Sequence, residues 1–160
     1  MTFDQIKDKV ASKFPDAITA IDENATPKAL MVAEDKLSEV CAFLYKDKDL
    51  YFDMLSCLTG IDNGEEANTM EVAYNLYSIP FEHAIMLKIE IPREKPEIPS
   101  VAEIWKTANW HEREAFDLLG IHFEGHPDLR RILLPTDWEG HPLRKDYQHQ
   151  DKYRGIKVEY

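Results

Sequence analysis

Two alternating runs in the middle of the chain leave few choices of fold. Met70, Val72, Tyr74 and Leu76 alternate with Glu71, Ala73 and Asn75. Phe81, His83, Ile85, Leu87, Ile89 and Ile91 then alternate with Glu82, Ala84, Met86, Lys88 and Glu90. A period of two puts one set of side chains on each face of a pleated strand, so each run predicts a strand with one buried face. The short Ser78-Ile79-Pro80 link predicts that the two pair antiparallel. His83 falls in the apolar set, where it is expected to be a hydrogen-bonded core histidine.

The flanking segments carry other periods. Phe3, Ile6, Val10 and Phe14 recur at three- and four-residue steps up to Pro15, predicting an amphipathic helix over residues 2–14. Residues 17–21 and 29–33 read as short strands, and residues 35–45 as a helix with Leu37, Val40, Cys41 and Leu44 on one face. Residues 51–59 read as a further strand, and residues 60–68 as a polar loop leading into the alternating pair. Past the proline-rich stretch 92–99 come two capping-box patterns, Ser100-Val101-Ala102-Glu103 and Asn109-Trp110-His111-Glu112, each predicting a helix start, with the second helix ending at Gly120. The expectation is an α+β, two-layer α/β domain over residues 1–120, in the order α-β-β-α-β-β-β-α.

Residues 121–160 break the pattern. They contain Pro127, Pro135 and Pro142 and no sustained periodicity, yet also Phe123, Leu129, Ile132, Leu133, Leu134, Trp138 and Leu143. That is too apolar for a disordered tail. It is also too sparse to offset by self-burial the entropy of ordering so long a segment, so hydrogen bonds to the domain or a partner's surface must complete it. The net charge of −11 sits entirely in residues 1–119, because residues 120–160 hold seven Lys/Arg and seven Asp/Glu. So acidic a chain is a poor binder of nucleic acid or of an anionic membrane surface. Cys41 and Cys57 show no CxxC spacing, which removes thiolate-held clusters and four-cysteine zinc sites. No apolar run approaches the roughly 18 residues of a membrane span, and no basic-then-apolar start marks a secretion signal, so a cytoplasmic protein is expected.

The arm repeats a small unit: Gly125-His126-Pro127-Asp128-Leu129-Arg130-Arg131 and Gly140-His141-Pro142-Leu143-Arg144-Lys145. Each glycine permits a sharp bend, each proline holds the preceding histidine extended, and each unit presents a leucine beside two cations. The plain reading is two proline turns with solvated bases; the sharper one is a grip on an acidic, grooved partner. Arg113 and Asp117 have i,i+4 spacing for an ion pair, and the acidic helix carrying Glu112, Glu114 and Asp117 invites Arg–carboxylate bonds within the chain or across an interface. A reading from another class is a small metal-dependent hydrolase using His122, His126 and Glu114, although Gly125 and Pro127 work against a helical ligand pair and no HExxH is present.

At these residues the chain closely resembles the C subunit of the proton-pumping NADH:quinone oxidoreductase, complex I, the family also called its thirty-kilodalton subunit. The resemblance is carried by Trp110-His111-Glu112-Arg113-Glu114-Ala115-Phe116-Asp117-Leu118-Leu119-Gly120-Ile121, by Gly125 to Leu133 and by Gly140-His141-Pro142-Leu143-Arg144-Lys145-Asp146-Tyr147, with weaker matches at Leu58-Thr59-Gly60-Ile61-Asp62 and Tyr74-Asn75-Leu76-Tyr77-Ser78. It implies a cofactor-free subunit in the hydrophilic arm of a proton-translocating NADH, or related donor, quinone oxidoreductase. Such a subunit is peripheral, on the cytoplasmic side of the inner membrane, and touches the membrane only through the complex. It implies that residues 121–160 form an extended arm docking on the quinone-site D subunit and neighbouring iron–sulfur subunits. The expected interface residues are Glu112, Arg113, Glu114, Asp117, His126, Leu129, Arg130, Arg131, Trp138, His141, Leu143, Arg144, Lys145 and Asp146.

Overall fold

The computed structural model describes residues 1–157; residues 158–160, the end of the expected arm, lie outside the described residues. Helix α1 (Phe3–Lys13) starts at a Thr2 cap, where Thr2 and Gln5 exchange side-chain and backbone bonds, and buries Ile6 and Val10. Strands β1 (Ile18–Asp22) and β2 (Ala29–Val32) form an antiparallel hairpin. Helix α2 (Leu37–Lys46) buries Leu37, Val40, Cys41 and Leu44, the face that the spacing predicts.

The alternating runs are β4 (Thr69–Ser78) and β5 (His83–Pro92), antiparallel in an unbroken register from Thr69 opposite Pro92 to Ser78 opposite His83. They lie in the middle of a five-stranded sheet ordered β1-β2-β5-β4, then β3 (Met54–Gly64) at the edge, in which β2 runs parallel to β5. Met70, Val72, Tyr74 and Leu76 meet Ile85, Leu87, Ile89 and Ile91 in one core with the buried residues of α1 and α2. Two layers result, as expected. His83 is buried and its Nε2 bonds the Leu50 carbonyl at 2.7 Å.

Three expectations fail locally. Strand β3 (Met54–Gly64) starts later and runs further than residues 51–59, taking in most of the segment expected to be a polar loop. Gly60, Ile61, Asp62 and Gly64 pair with Val72, Glu71, Met70 and Thr69. The polar character has other causes: a Cβ on Gly60 would lie 2.6 Å from Leu119 Cδ1, and Asp62 serves a buried ion pair described below. The Ser100 capping box starts no helix, since residues 101–107 form turns and Ser100 Oγ is committed to Glu112.

Helix α3 (Ala108–Leu119) begins one residue before Asn109, after Thr107, without a side-chain cap; the Thr107 hydroxyl donates instead to the Leu55 carbonyl. It ends as expected at Gly120, φ +77°. Two three-residue strands, β6 (Glu97–Pro99) and β7 (His122–Glu124), pair in parallel beside it. Ile121 and Phe123 are buried in the main core, so the body runs a few residues past the expected end at 120. A final hairpin, β8 (Lys152–Tyr153) and β9 (Ile156–Lys157), closes the described chain.

Candidate partner-docking site

Beyond β7 the chain has almost no regular structure, yet the backbone N–H groups of Ile132, Leu133, Leu134, Leu143 and Lys145 all bond to the body. Gly125 and Gly140 both sit at φ +77°, the left-handed bends that the repeated unit requires. The two histidines that follow grip opposite ends of α3. His126 Nε2 is 3.1 Å from the Asn109 carbonyl, and His141 Nδ1 is 2.9 Å from the Asp117 carbonyl. The repeated unit is a strap over one helix.

Two buried carboxylates tie the strap down. Asp117 is fully buried; its Oδ1 accepts from Arg131 Nη1 at 2.8 Å, and its Oδ2 accepts the N–H groups of Ile132, Leu133 and Leu134 at 3.0, 2.7 and 2.9 Å. Burial alone would push this carboxyl up, but the donors of Leu134, Arg131, Leu133 and Ile132 together hold it below its ordinary value. Arg131 also donates from Nη2 to the Trp138 and Gly140 carbonyls. The i,i+4 pair expected between Arg113 and Asp117 is not formed. Arg113 reaches outward to the Arg130 and Arg131 carbonyls and lies over the Trp110 ring.

The second tie is Asp62, near the end of β3. Arg93 grips it through two nitrogens, Nε at 2.7 Å and Nη2 at 3.0 Å, and the N–H groups of Lys145 and Gly64 add bonds of 2.8 and 2.9 Å. The Arg93 guanidinium, against the opposing effect of burial, and these two N–H groups hold the carboxyl far below the usual range. Arg93 also meets Asp146 at 2.8 Å, while Arg144 donates to the Arg93 carbonyl and Lys145 Nζ to the Asn63 carbonyl. Asp62 and Arg93 were not among the expected site residues. The signal was Asp62 at the end of the weaker Leu58-to-Asp62 match, in a segment read as loop because of its polarity.

The expected residues therefore divide. Glu112 and Asp117 are buried, with no surface to offer a partner. Arg131, His141, Arg144, Lys145 and Asp146 hold the arm to the body; His126 does so at its first bend. Leu129 packs partly on the core, and the Trp138 indole donates to the Tyr147 hydroxyl. Left facing outward are Leu143, 60% exposed, Glu114, and Arg130, which among the described residues pairs only with Asp128. Leu133, 63% exposed, and Trp110, 65% exposed, join them from outside the expected set of interface residues, although Trp110 reads from the sequence as a packing or interface anchor. Glu114 lines a cleft of about 180 Å³ with Cys57, Thr59, His111, Leu118 and Leu143. Among the described residues no three His, Cys, Asp or Glu side chains are grouped as a metal ion would require, so His122, His126 and Glu114 do not form the site that the hydrolase reading needs.

Helices packed against a five-stranded sheet make the body, and the strap across α3 keeps Leu133 and Leu143 exposed while Leu129 packs partly on the core. The chain belongs to the family described as the 30 kDa subunit of respiratory-chain NADH dehydrogenase, whose family model matches residues 30–153. It is 46% identical to the NADH-quinone oxidoreductase C subunit of Chlorobium phaeobacteroides over 96% of this chain and 93% of that protein. It is also 46% identical to the C subunit of Chloroherpeton thalassium over 94% of this chain, spanning only 63% of that longer relative. A solved trypsin-resistant fragment (1–134) of Nqo5 superposes with a TM-score of 0.65 at 27% identity, covering 81% of this chain and all of the fragment. A chain of the membrane-bound sulfane sulfur reductase, an archaeal respiratory membrane complex, shares the fold with a TM-score of 0.74 at 23% identity, over 91% of this chain and 85% of that one.

Proposed function

We propose that this chain is a cofactor-free structural subunit of the hydrophilic arm of a proton-translocating NADH, or related donor, quinone oxidoreductase, peripheral on the cytoplasmic side of the inner membrane. Residues 125–157 serve as the docking arm, and the body ending near Glu124 carries it. The arm's partners are the quinone-site D subunit and neighbouring iron–sulfur subunits. Family membership supports the host. Among the described residues no helix is long and apolar enough to cross a membrane, which fits attachment through other subunits.

The observation that carries the docking reading is the outward exposure of Leu133 and Leu143 on a backbone already bonded to α3. The Leu133 N–H goes to Asp117 Oδ2, and the Leu143 N–H to the Leu118 carbonyl. A segment ordered before it binds loses little further entropy on binding, and large apolar or aromatic side chains on such a frame are the usual anchors of an interface. Trp110 of α3, 65% exposed, lies against the Arg113 guanidinium that bonds the Arg130 and Arg131 carbonyls of the arm.

The test separates docking from folding. Arg130→Glu and Leu143→Asp change exposed groups, so the purified chain keeps its unfolding midpoint while tagged variants recover fewer partner subunits than the unaltered chain. Unaltered recovery with both changes combined would overturn the docking assignment.

A further inference from the structure

Glu112 is a buried carboxyl that docking does not use, and four segments meet at it. From the turn before α3, Ser100 Oγ lies 2.6 Å from Oε2 and the Val101 N–H donates to Oε1 at 2.8 Å. From α2 the buried Cys41 thiol and from β4 the buried Tyr74 hydroxyl lie close enough to feel its charge, and that hydroxyl has no hydrogen-bond partner among the described residues. From the first bend of the arm comes His126, with Nε2 3.9 Å from Oε2 and both side chains without solvent exposure. That ring is occupied elsewhere: its Nδ1 accepts the Asp128 N–H at 3.0 Å, which places the ring hydrogen on Nε2, toward the Asn109 carbonyl.

No lysine or arginine of the described residues pairs with Glu112, in contrast to Asp62 and Asp117, each of which holds an arginine. An ionised Glu112 would be a buried anion supported by two neutral donors, a state that desolvation penalises heavily. A protonated Glu112 donates from Oε2 to Ser100 Oγ and still accepts from Val101 at Oε1. We propose that Glu112 keeps its proton up to neutral pH and acts as a proton-sensitive clasp joining the Ser100 turn, α3 and the first bend of the arm.

Burial pushes the Glu112 carboxyl up to about 7, against the smaller opposing effects of the Ser100 and Val101 bonds. Because the folded value lies above the unfolded one, the clasp's stability is complete below the ordinary glutamate value of about 4.3 and is lost as pH rises to the folded value. Once the proton leaves, the cheapest relief is to let water reach the carboxylate through the Ser100 turn or the His126 bend. The root of the arm then loosens while the ties at Asp62 and Asp117, ionised throughout this range, hold.

The inference is independent of which partner the arm meets and is tested on the full chain alone. In carbon-13 NMR of glutamate-labelled protein, the Glu112 carboxyl should titrate with a midpoint within about a unit of 7. The unfolding constant of the unaltered protein, divided by that of Glu112→Gln, should rise roughly tenfold per pH unit between about pH 5 and 7 and then level off, since glutamine keeps a donor and an acceptor without titrating. Should Glu112→Gln not fold, the Glu112 carboxyl midpoint in the unaltered protein is the deciding readout, a value near 7 supporting the clasp. A midpoint near 4.3, or a Glu112→Gln stability profile parallel to the unaltered protein's, would overturn the clasp.

Discussion

Arg131 Nη1 donates to Asp117 Oδ1 at 2.8 Å, and in doing so joins an arm cation that the sequence offered to a partner to a helix carboxylate that it offered to Arg113. The exchange has a geometric reason. On α3, Arg113 and Asp117 diverge, one outward over Trp110 and one inward, so the inward carboxylate is completed by the segment that passes over it. One carboxylate then organises Arg131, Ile132, Leu133 and Leu134.

Asp117→Asn should therefore release the middle of the arm. Asparagine keeps one acceptor but leaves Arg131, only 15% exposed, without its counter-charge. A loss of about 3–5 kcal/mol is expected from breaking a buried pair. Urea unfolding would read the loss, and faster amide exchange confined to residues 131–141 would show that the arm, and not the sheet, comes free.

The two adjacent arginines should behave oppositely on truncation. Arg130→Ala removes an exposed cation paired, among the described residues, only with nearby Asp128, and stability should stay within about 0.5 kcal/mol. Arg131→Ala removes four hydrogen bonds and strands the Asp117 charge, costing about 3 kcal/mol or more. Parallel denaturation curves of the two variants would contradict this division.

Gly120→Ala tests the strap from the other side. Gly120 ends α3 in the left-handed region, where an added Cβ costs about 1–2 kcal/mol. That Cβ would also stand 2.8 Å from the His141 ring, which must move and give up the Asp117 carbonyl. Thermal unfolding should show the lowered midpoint, and the His141 ring resonances in NMR should shift. Gly125→Ala, with no atom within 4 Å, should show only the backbone strain.

Acid should leave the arm in place longer than the composition implies. Asp62 and Asp117 have folded values depressed below the ordinary aspartate value of about 3.9. Their contribution is complete above that value and disappears only as pH falls through the depressed ones. Amide protection at Lys145 and at residues 132–134 should thus persist at pH 4 and vanish in stronger acid, that of Lys145 last. Loss of protection at pH 5 would mean that the two ties do not carry the arm.

Local chemistry was enough for the elements that bury one face. The alternation from Met70 to Ile91, the stripe Leu37-Val40-Cys41-Leu44 and the stop at Gly120 each express a period or a backbone preference written within a few residues, and the sheet and helices follow them. The resemblance around Trp110–Tyr147 likewise lay open in the sequence and named the family. What needed the folded chain was the pairing of polar groups far apart along it. Ser100 and Glu112 each sit in a capping pattern, yet they bond to each other, because α3 is packed inward and a buried carboxylate takes whatever donors surround it. Asp62, 31 residues from Arg93 and 83 from Lys145, looks like part of a loop until the sheet, the β5 exit and the arm converge on it. Periodicity records which side of an element faces the core; it holds no record of which distant partner waits there, and for this arm those distant partners decide which side chains are tied to the body and which stay exposed.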